Sequence, residues 1–86
     1  MLERIALKER RRLRRERMIG TGLIAYAGGH YSMDCVVLDW SECGARIRPA
    51  DMIECPNHFA LVTKTGLEVP CQVIWRRDEV VGVRFV

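Results

Sequence analysis

The segment from Leu67 to Arg76 alternates between two sets of side chains, and it limits the possible folds more than any other feature. One set is Leu67, Val69, Cys71, Val73 and Trp75, and the other is Glu68, Pro70, Gln72, Ile74 and Arg76. Successive side chains of a strand point to opposite faces, whereas a helix repeats every 3.6 residues. The alternation therefore predicts a half-buried β-strand.

Five other segments predict shorter strands, at residues 23–27, 31–39, 45–48, 58–64 and 81–85. Turn residues separate neighbouring strands at Gly28-Gly29, Thr65-Gly66 and Asp78-Glu79. Residues 49–57 contain two prolines and no clear period, which predicts a loop with one helical turn at most. Six short strands joined by brief turns predict an all-β fold, a small antiparallel barrel without exposed sheet edges.

The first 17 residues differ sharply in charge from the rest of the chain. Eight basic and three acidic residues give this segment a charge of +5, while residues 18–86 carry −2 from six basic and eight acidic residues. Helix formers dominate the segment, but its apolar stripe is thin, so we expect a flexible or marginally helical arm. We divide the chain into a basic arm, residues 1–19, and a barrel, residues 20–86. The arm is expected to meet an anionic partner.

The composition also argues against several classes of protein. No stretch approaches the roughly 20 apolar residues of a membrane span. No apolar region follows the charged N-terminal residues, so we expect no secretory signal and a cytoplasmic location. The four cysteines are loosely spaced, which predicts reduced thiols, with Cys35 and Cys71 in the core.

Catalytic and metal sites are not expected. Cys55 and His58 form a single C-x-x-H pair, which is two ligands short of a structural zinc site. Neither His30 nor His58 has a nucleophile or a carboxylate partner in a recognisable array. We therefore expect a binding module that is not an enzyme and has no metal or other cofactor.

The arm contains an arginine run, Arg10-Arg11-Arg12-Leu13-Arg14-Arg15. A guanidinium can hold a phosphate with two hydrogen bonds, bind the O6 and N7 edge of guanine, or stack on a base. An R-x-x-x-R pair is present in two registers, Arg11 with Arg15 and Arg10 with Arg14. A run so rich in arginine produces this spacing by composition alone, so a solvated or nonspecific nucleic-acid-binding tail is the alternative.

A second candidate is the polar loop Asp39-Trp40-Ser41-Glu42-Cys43-Gly44, which follows an apolar strand. The Asp39 carboxylate can accept hydrogen bonds from N–H groups, including those of a guanine. The Ser41 hydroxyl can bond its own backbone or a ligand. Gly44 permits a positive φ or a close approach of backbone. Taken alone, this pattern favours an ordinary turn between strands.

In this order and spacing, the motifs resemble those of a PilZ domain. They are Arg11-x-x-x-Arg15, Asp39-x-Ser41-x-x-Gly44-Ala45-Arg46-Ile47, Val73-Ile74-Trp75-Arg76 and Gly82-Val83-Arg84-Phe85. The resemblance runs from about Glu9 to Val86. It implies a six-stranded, split-barrel type β-barrel that binds the bacterial second messenger cyclic di-GMP. In that family the arginine segment folds over the ligand, and the D/N-x-S-x-x-G loop meets a guanine.

The resemblance also implies roles for individual residues. Arg11 and Arg15 would grip phosphate and guanine, with Arg10 and Arg14 as the second register. Asp39 and Ser41 would hydrogen-bond a guanine, and Gly44 would shape the loop. The resemblance makes Arg46 and Trp75 weaker candidates for flanking contacts. A place in the core is an equal alternative for Trp75, because its strand alternates.

The resulting hypothesis is a second-messenger receptor whose arm orders on cyclic di-GMP. Ordering would alter binding to an unidentified effector protein, in motility or exopolysaccharide control. One alternative is a basic-armed barrel that binds nucleic acid; six aromatic residues and a net acidic barrel argue against it. The other is a PilZ-like adaptor that binds no nucleotide, and the presence of both motifs argues against that.

Overall fold

The computed structural model describes residues 19–86, and these form six antiparallel strands closed into a barrel. The strands are β1 (Gly20–Tyr26), β2 (Tyr31–Trp40), β3 (Gly44–Pro49), β4 (His58–Thr63), β5 (Glu68–Arg77) and β6 (Val80–Phe85). Their order around the barrel is β1-β2-β3-β6-β5-β4, and β4 pairs back with β1. The predicted all-β, six-stranded antiparallel barrel is confirmed.

The turn between β1 and β2 depends on positive φ angles at three successive residues. Ala27, Gly28 and Gly29 have φ values of 54°, 69° and 87°. The Gly29 and His30 N–H groups donate to the carbonyls of Tyr26 and Ala27, at 3.0 and 3.2 Å. A Cβ makes this left-handed backbone conformation unfavourable, which favours glycine at positions 28 and 29, whereas Ala27 adopts it despite its Cβ. The turn predicted at Gly28-Gly29 is therefore present.

The core lies inside the barrel and receives side chains from all six strands. The largest fully buried side chains are Ile24, Val37, Ile47, Leu61, Val81 and Cys71. Cys35 is also buried, at 3% exposure, so the predicted core positions of Cys35 and Cys71 are confirmed. Inward residues alternate with exposed ones along β3, where Ala45 and Ile47 are buried and Arg46 is exposed.

Two β-bulges interrupt this alternation. The register of β2 against β3 shifts between Val37 and Asp39, so Leu38 is an extra residue. The register of β5 against β6 shifts between Val73 and Trp75, so Ile74 is a second extra residue. An inserted residue moves the side chains that follow it to the opposite face.

The bulges decide which side chains face solvent. Beyond Leu38, Asp39 faces outward beside Arg46, and Trp40 turns inward against Phe85, with ring centroids 4.7 Å apart. Beyond Ile74, Trp75 lies on the outer face and is 38% exposed. The alternation predicted from Leu67 to Trp75 thus holds through Val73 and is wrong at Trp75, which is not a core residue.

The loop between β3 and β4 covers part of the core and is held by one arginine. Arg76 donates to the carbonyls of Met52 and Cys55, at 3.3 and 2.8 Å, and to Asn57 Oδ1 at 2.8 Å. Cys55 is buried and Met52 packs against the core. Residues 52–54 form a turn without a helix, as the predicted loop allows. Within residues 19–86, no helix has the length and apolar character needed to cross a bilayer.

Thiol reactivity tests the burial of the cysteines. Burial raises the pKa of Cys35 and Cys71 from 9.0 to about 12, and it also raises the pKa of Cys55. Cys43 is exposed. Because the thiolate is the reactive form, an aromatic disulfide reagent at pH 8 should react quickly with one thiol per folded chain. All four should react in denaturant, and Cys43→Ser should abolish the fast phase; two or more fast thiols would contradict this core.

The same shifts predict how stability depends on pH. Above the ordinary thiol pKa of 9.0, cysteines of the unfolded chain lose protons that buried Cys35 and Cys71 retain. The unfolded state then binds fewer protons than the folded state, so the free energy of unfolding falls as pH rises above 9. Urea denaturation at pH 8 and pH 10 measures this fall. The fall in the free energy of unfolding between pH 8 and pH 10 should be smaller in a double variant that carries Cys35→Ala and Cys71→Ala.

Candidate functional site

An open groove lies on the outer face of β3 and β6, between the end of β2 and the bulge of β5. Its volume is about 350 Å³. Five residues singled out from the sequence line it, namely Asp39, Ser41, Gly44, Arg46 and Trp75. The remaining predicted site residues, Arg10, Arg11, Arg14 and Arg15, lie outside the described residues, so the register of the arginine motif stays a prediction.

Cross-strand pairing brings these side chains together. Asp39 pairs with Arg46, Arg46 with Gly82, and Gly82 with Trp75, which makes one row across four strands. A second row lies two residues further along β6, where Arg84 pairs with Gly44 on one side and Gln72 on the other. Residues distant in sequence thus become neighbours on one surface.

Asp39 and Arg46 form a two-point ion pair. Arg46 donates from Nε and Nη2 to Asp39 Oδ2, at 2.7 and 2.6 Å, and its backbone N–H donates to Oδ1 at 3.2 Å. The hydrogen bond with Asp39, and then its charge, raise the pKa of Arg46. Both side chains are about half exposed, so the pair adds little to stability. Its main effect is to orient an acceptor and a donor side by side.

Ser41 closes the short loop between β2 and β3. Its hydroxyl accepts hydrogen bonds from the N–H groups of Cys43 and Gly44, and it donates to the Gly44 carbonyl, each at 3.2 Å. The Ser41 N–H also donates to the Gly44 carbonyl at 2.8 Å. The hydroxyl therefore shapes the rim of the groove by holding its own backbone.

Two glycines form the floor of the groove. A Cβ on Gly44 would clash with the backbone carbonyl of Val83, so β3 and β6 approach closely there. A Cβ on Gly82 would overlap the Trp75 ring, which lies over this glycine. Of the two roles predicted for Gly44, the structure shows the close approach, since its φ is not positive.

The basic side chains of the barrel are concentrated on β3, β5 and β6, the strands that carry most of the residues lining the groove. Five of the six basic residues in residues 18–86 belong to β3, β5 and β6 and are exposed. Arg76 is bound to the loop between β3 and β4, and the other four are Arg46, Arg48, Arg77 and Arg84. The guanidinium of Arg77 lies 5.9 Å from the centroid of the Trp75 ring. The net charge of −2 therefore conceals a cationic face.

Arg84 is a groove residue that the sequence reasoning did not single out. Its Nε donates to Gln72 Oε1 at 3.1 Å, across the β5–β6 pair. The sequence contains a local indication of its orientation, because Arg84 lies between Val83 and Phe85, two apolar residues that face the core. That pattern predicts an outward side chain, but only the pairing of β6 with β3 places it in the groove.

No protein-family model, curated protein or solved structure matches this chain. The resemblance to PilZ domains therefore remains a prediction based on the motifs. In residues 19–86, no group of three or more His, Cys, Asp or Glu side chains is placed to hold a metal ion.

Substitution at Gly44 tests the close approach of β3 and β6. Gly44→Ala should lower the free energy of unfolding by about 1–3 kcal/mol, because its methyl group meets backbone that cannot turn aside. Urea denaturation monitored by circular dichroism measures the change. Cys43→Ala is the matched control at the neighbouring exposed position and should leave stability within about 0.5 kcal/mol of wild type. Equal stability of the two variants would contradict the packing described.

Proposed function

We propose that this chain is a cyclic di-GMP receptor that holds one guanine of the ligand in the groove. The observation that carries the proposal is the row in which the Asp39–Arg46 ion pair faces Trp75 across Gly82. An acceptor, a donor and an aromatic ring on one small surface suit a guanine better than a simple inorganic anion, because a guanine has donors, acceptors and an aromatic face.

The ion pair complements the edge of guanine. Guanine presents acceptors at O6 and N7, and N–H donors at its Watson–Crick edge. The Asp39 carboxylate retains acceptor capacity beyond its bonds to Arg46, since two oxygens offer about four lone-pair sites. Arg46 Nη1 makes no hydrogen bond to any residue in the described part of the chain. A carboxylate and a guanidinium fixed side by side can therefore accept from the N–H groups of a guanine and donate to its O6 or N7.

Trp75 provides a surface on which a base can stack. Trp75 is 38% exposed, and its ring lies over Gly82 on one side of the groove. The bulged residue Ile74 is 58% exposed and also lines the groove, which adds apolar area. Stacking of a base on an aromatic side chain is worth about 1–3 kcal/mol.

The arm joins the barrel beside the groove. Gly20 pairs with Val37 on β2, and Asp39 lies two residues beyond Val37 on that strand. Arg15 precedes Gly20 by five residues, a length that spans about 17 Å when extended. The arginines of the arm are thus close enough in sequence to reach a ligand bound at Asp39.

Binding would act through the arm. A ligand with two phosphates would draw residues 10–15 onto the barrel, and the cost of ordering them would lower the affinity. The ordered arm would create or remove a surface for an effector protein, in the control of motility or exopolysaccharide. The proposed role is that of a cytoplasmic binding module without catalysis.

Calorimetric titration with cyclic di-GMP tests the proposal. Wild type should bind with a Kd of about 1 μM or lower. Asp39→Ala and Arg15→Ala should each weaken binding at least about tenfold, a loss of about 1.4 kcal/mol. Asp34→Ala is the matched control, an exposed aspartate on the same strand that does not line the groove. Wild type that binds no cyclic di-GMP would refute the proposal and favour a nucleotide-free adaptor.

Paired substitutions decide the register of the arginine motif. Both double variants, Arg11→Ala with Arg15→Ala and Arg10→Ala with Arg14→Ala, remove two positive charges from the arm. We expect the first to weaken binding about tenfold more than the second, because the PilZ resemblance assigns the motif to Arg11 and Arg15. Equal losses would show that the arm acts through its net charge, and the reverse order would assign the motif to Arg10 and Arg14.

Nucleic-acid binding is the second candidate, and the cationic face of the barrel is the observation that favours it. Apart from Arg76, four exposed arginines lie on β3, β5 and β6, and the guanidinium of one of them, Arg77, lies 5.9 Å from the centroid of the exposed Trp75 ring. A single-stranded oligonucleotide would bind with a steep dependence on salt and little dependence on Asp39. Titration of wild type and Asp39→Ala with an oligonucleotide, at about 50 and 200 mM salt, separates this candidate from the first.

A further inference from the structure

We propose that Arg84 is the phosphate-binding residue of the groove and that Gln72 positions it. This inference rests on the proposed function, since it assigns the phosphate of the same nucleotide ligand. It gives the barrel its own anion contact, separate from the arginines of the arm.

The two arginines that line the groove differ in their partners. Arg46 is neutralised by the Asp39 carboxylate, at 2.6 Å. Arg84 is held through Nε by the neutral amide of Gln72, at 3.1 Å. Its terminal nitrogens Nη1 and Nη2 make no hydrogen bond or ion pair with another residue of the described range, 19–86. Among residues 19–86, the Arg84 charge therefore has no ionic partner, and its Nη1 and Nη2 donors remain available to the groove.

The surroundings of Arg84 leave space for a ligand. Its pairing partner on β3 is Gly44, which has no side chain to cover the guanidinium. Gln72 on the other side orients Nε and so fixes the plane of the group. A planar fork of donors with a fixed direction matches two oxygens of a phosphate.

The position of Arg84 relative to Trp75 fits a nucleotide. Arg84 lies two residues from Gly82 along β6, a rise of about 7 Å along a strand. Gly82 is the residue under the Trp75 ring. A base stacked on Trp75 and a phosphate on Arg84 would be separated by about the space that a ribose fills.

The other two arginines of the cationic face do not share this geometry. Arg48 and Arg77 do not line the groove. Arg77 lies against the Trp75 ring instead. Arg48 thus offers a matched control, an exposed arginine on β3 with the same charge but outside the groove.

Calorimetry on four variants tests the assignment. Arg84→Ala should weaken cyclic di-GMP binding at least about tenfold and lower the slope of log affinity against log salt by about one. Gln72→Ala should weaken it by a smaller factor. Gln72→Glu keeps an acceptor for Nε but neutralises the charge, so it should weaken binding as much as Arg84→Ala does. Arg48→Ala should leave the affinity within about twofold of wild type.

The outcomes separate this inference from the proposed function. If Asp39→Ala loses binding while Arg84→Ala binds like wild type, Arg84 holds no phosphate and the receptor proposal survives. Equal losses in Arg84→Ala and Arg48→Ala would show a general charge effect and overturn the assignment. Tighter binding by Gln72→Glu would also overturn it.

A second measurement applies even if wild type does not bind cyclic di-GMP. Titration with inorganic pyrophosphate, followed by the NMR signals of arginine Nε–H groups, reports on each guanidinium separately. A saturating shift at Arg84 with no comparable shift at Arg48 supports the assignment independently of the nucleotide. Unchanged Arg84, or equal shifts at both residues, refutes it.

Discussion

The two β-bulges are the constraint on which the surface of this protein depends. Without Leu38 and Ile74 as extra residues, the alternation of β2 and β5 would point Asp39 and Trp75 into the barrel. A carboxylate there would be buried at a large cost in free energy. With the bulges, both side chains face outward at the same level, and Trp40 turns inward onto Phe85 in exchange. The core is preserved, and an aromatic ring and a carboxylate become available to solvent.

The floor between them depends on missing side chains. Gly44 lets β3 approach the backbone of β6, and Gly82 makes room for the Trp75 ring. Neither position has a positive φ, so the requirement is for space and not for an unusual backbone conformation. Ser41 stabilises the rim by satisfying backbone N–H groups of its own loop. The floor of the groove thus forms where β3 approaches β6 closely and where the Trp75 ring lies over a glycine.

Charge in the groove is arranged in two ways that net charge does not show. The charge of Arg46 is offset by the Asp39 carboxylate, which it orients. The charge of Arg84 is not offset by Gln72, because that partner is a neutral amide. The barrel as a whole is net acidic, yet its exposed arginines lie together on β3, β5 and β6. The net charge of a domain governs its long-range electrostatic field, whereas the charge of one face depends on which side chains lie on that face.

Much of this architecture could be predicted from local patterns. The alternation from Leu67 to Val73 and the turns at Gly28-Gly29 and Asp78-Glu79 identified strands and hairpins, because both signals are local. The spacing of Asp39, Ser41 and Gly44 marked the loop for the same reason. These patterns also predicted closure into a barrel, since strands so short leave edges that must be paired.

The sequence alone determined where strands run, where they turn and which residues form the core before each bulge. The tertiary structure decided that Trp75 faces outward and that Arg46 forms an ion pair with Asp39. It also decided that Arg84 lies in the groove, where it is hydrogen-bonded to Gln72. The reason is that pairing register is a property of two strands, and one inserted residue reverses every face beyond it. That insertion changes no local composition, so it becomes visible only when the strands are paired.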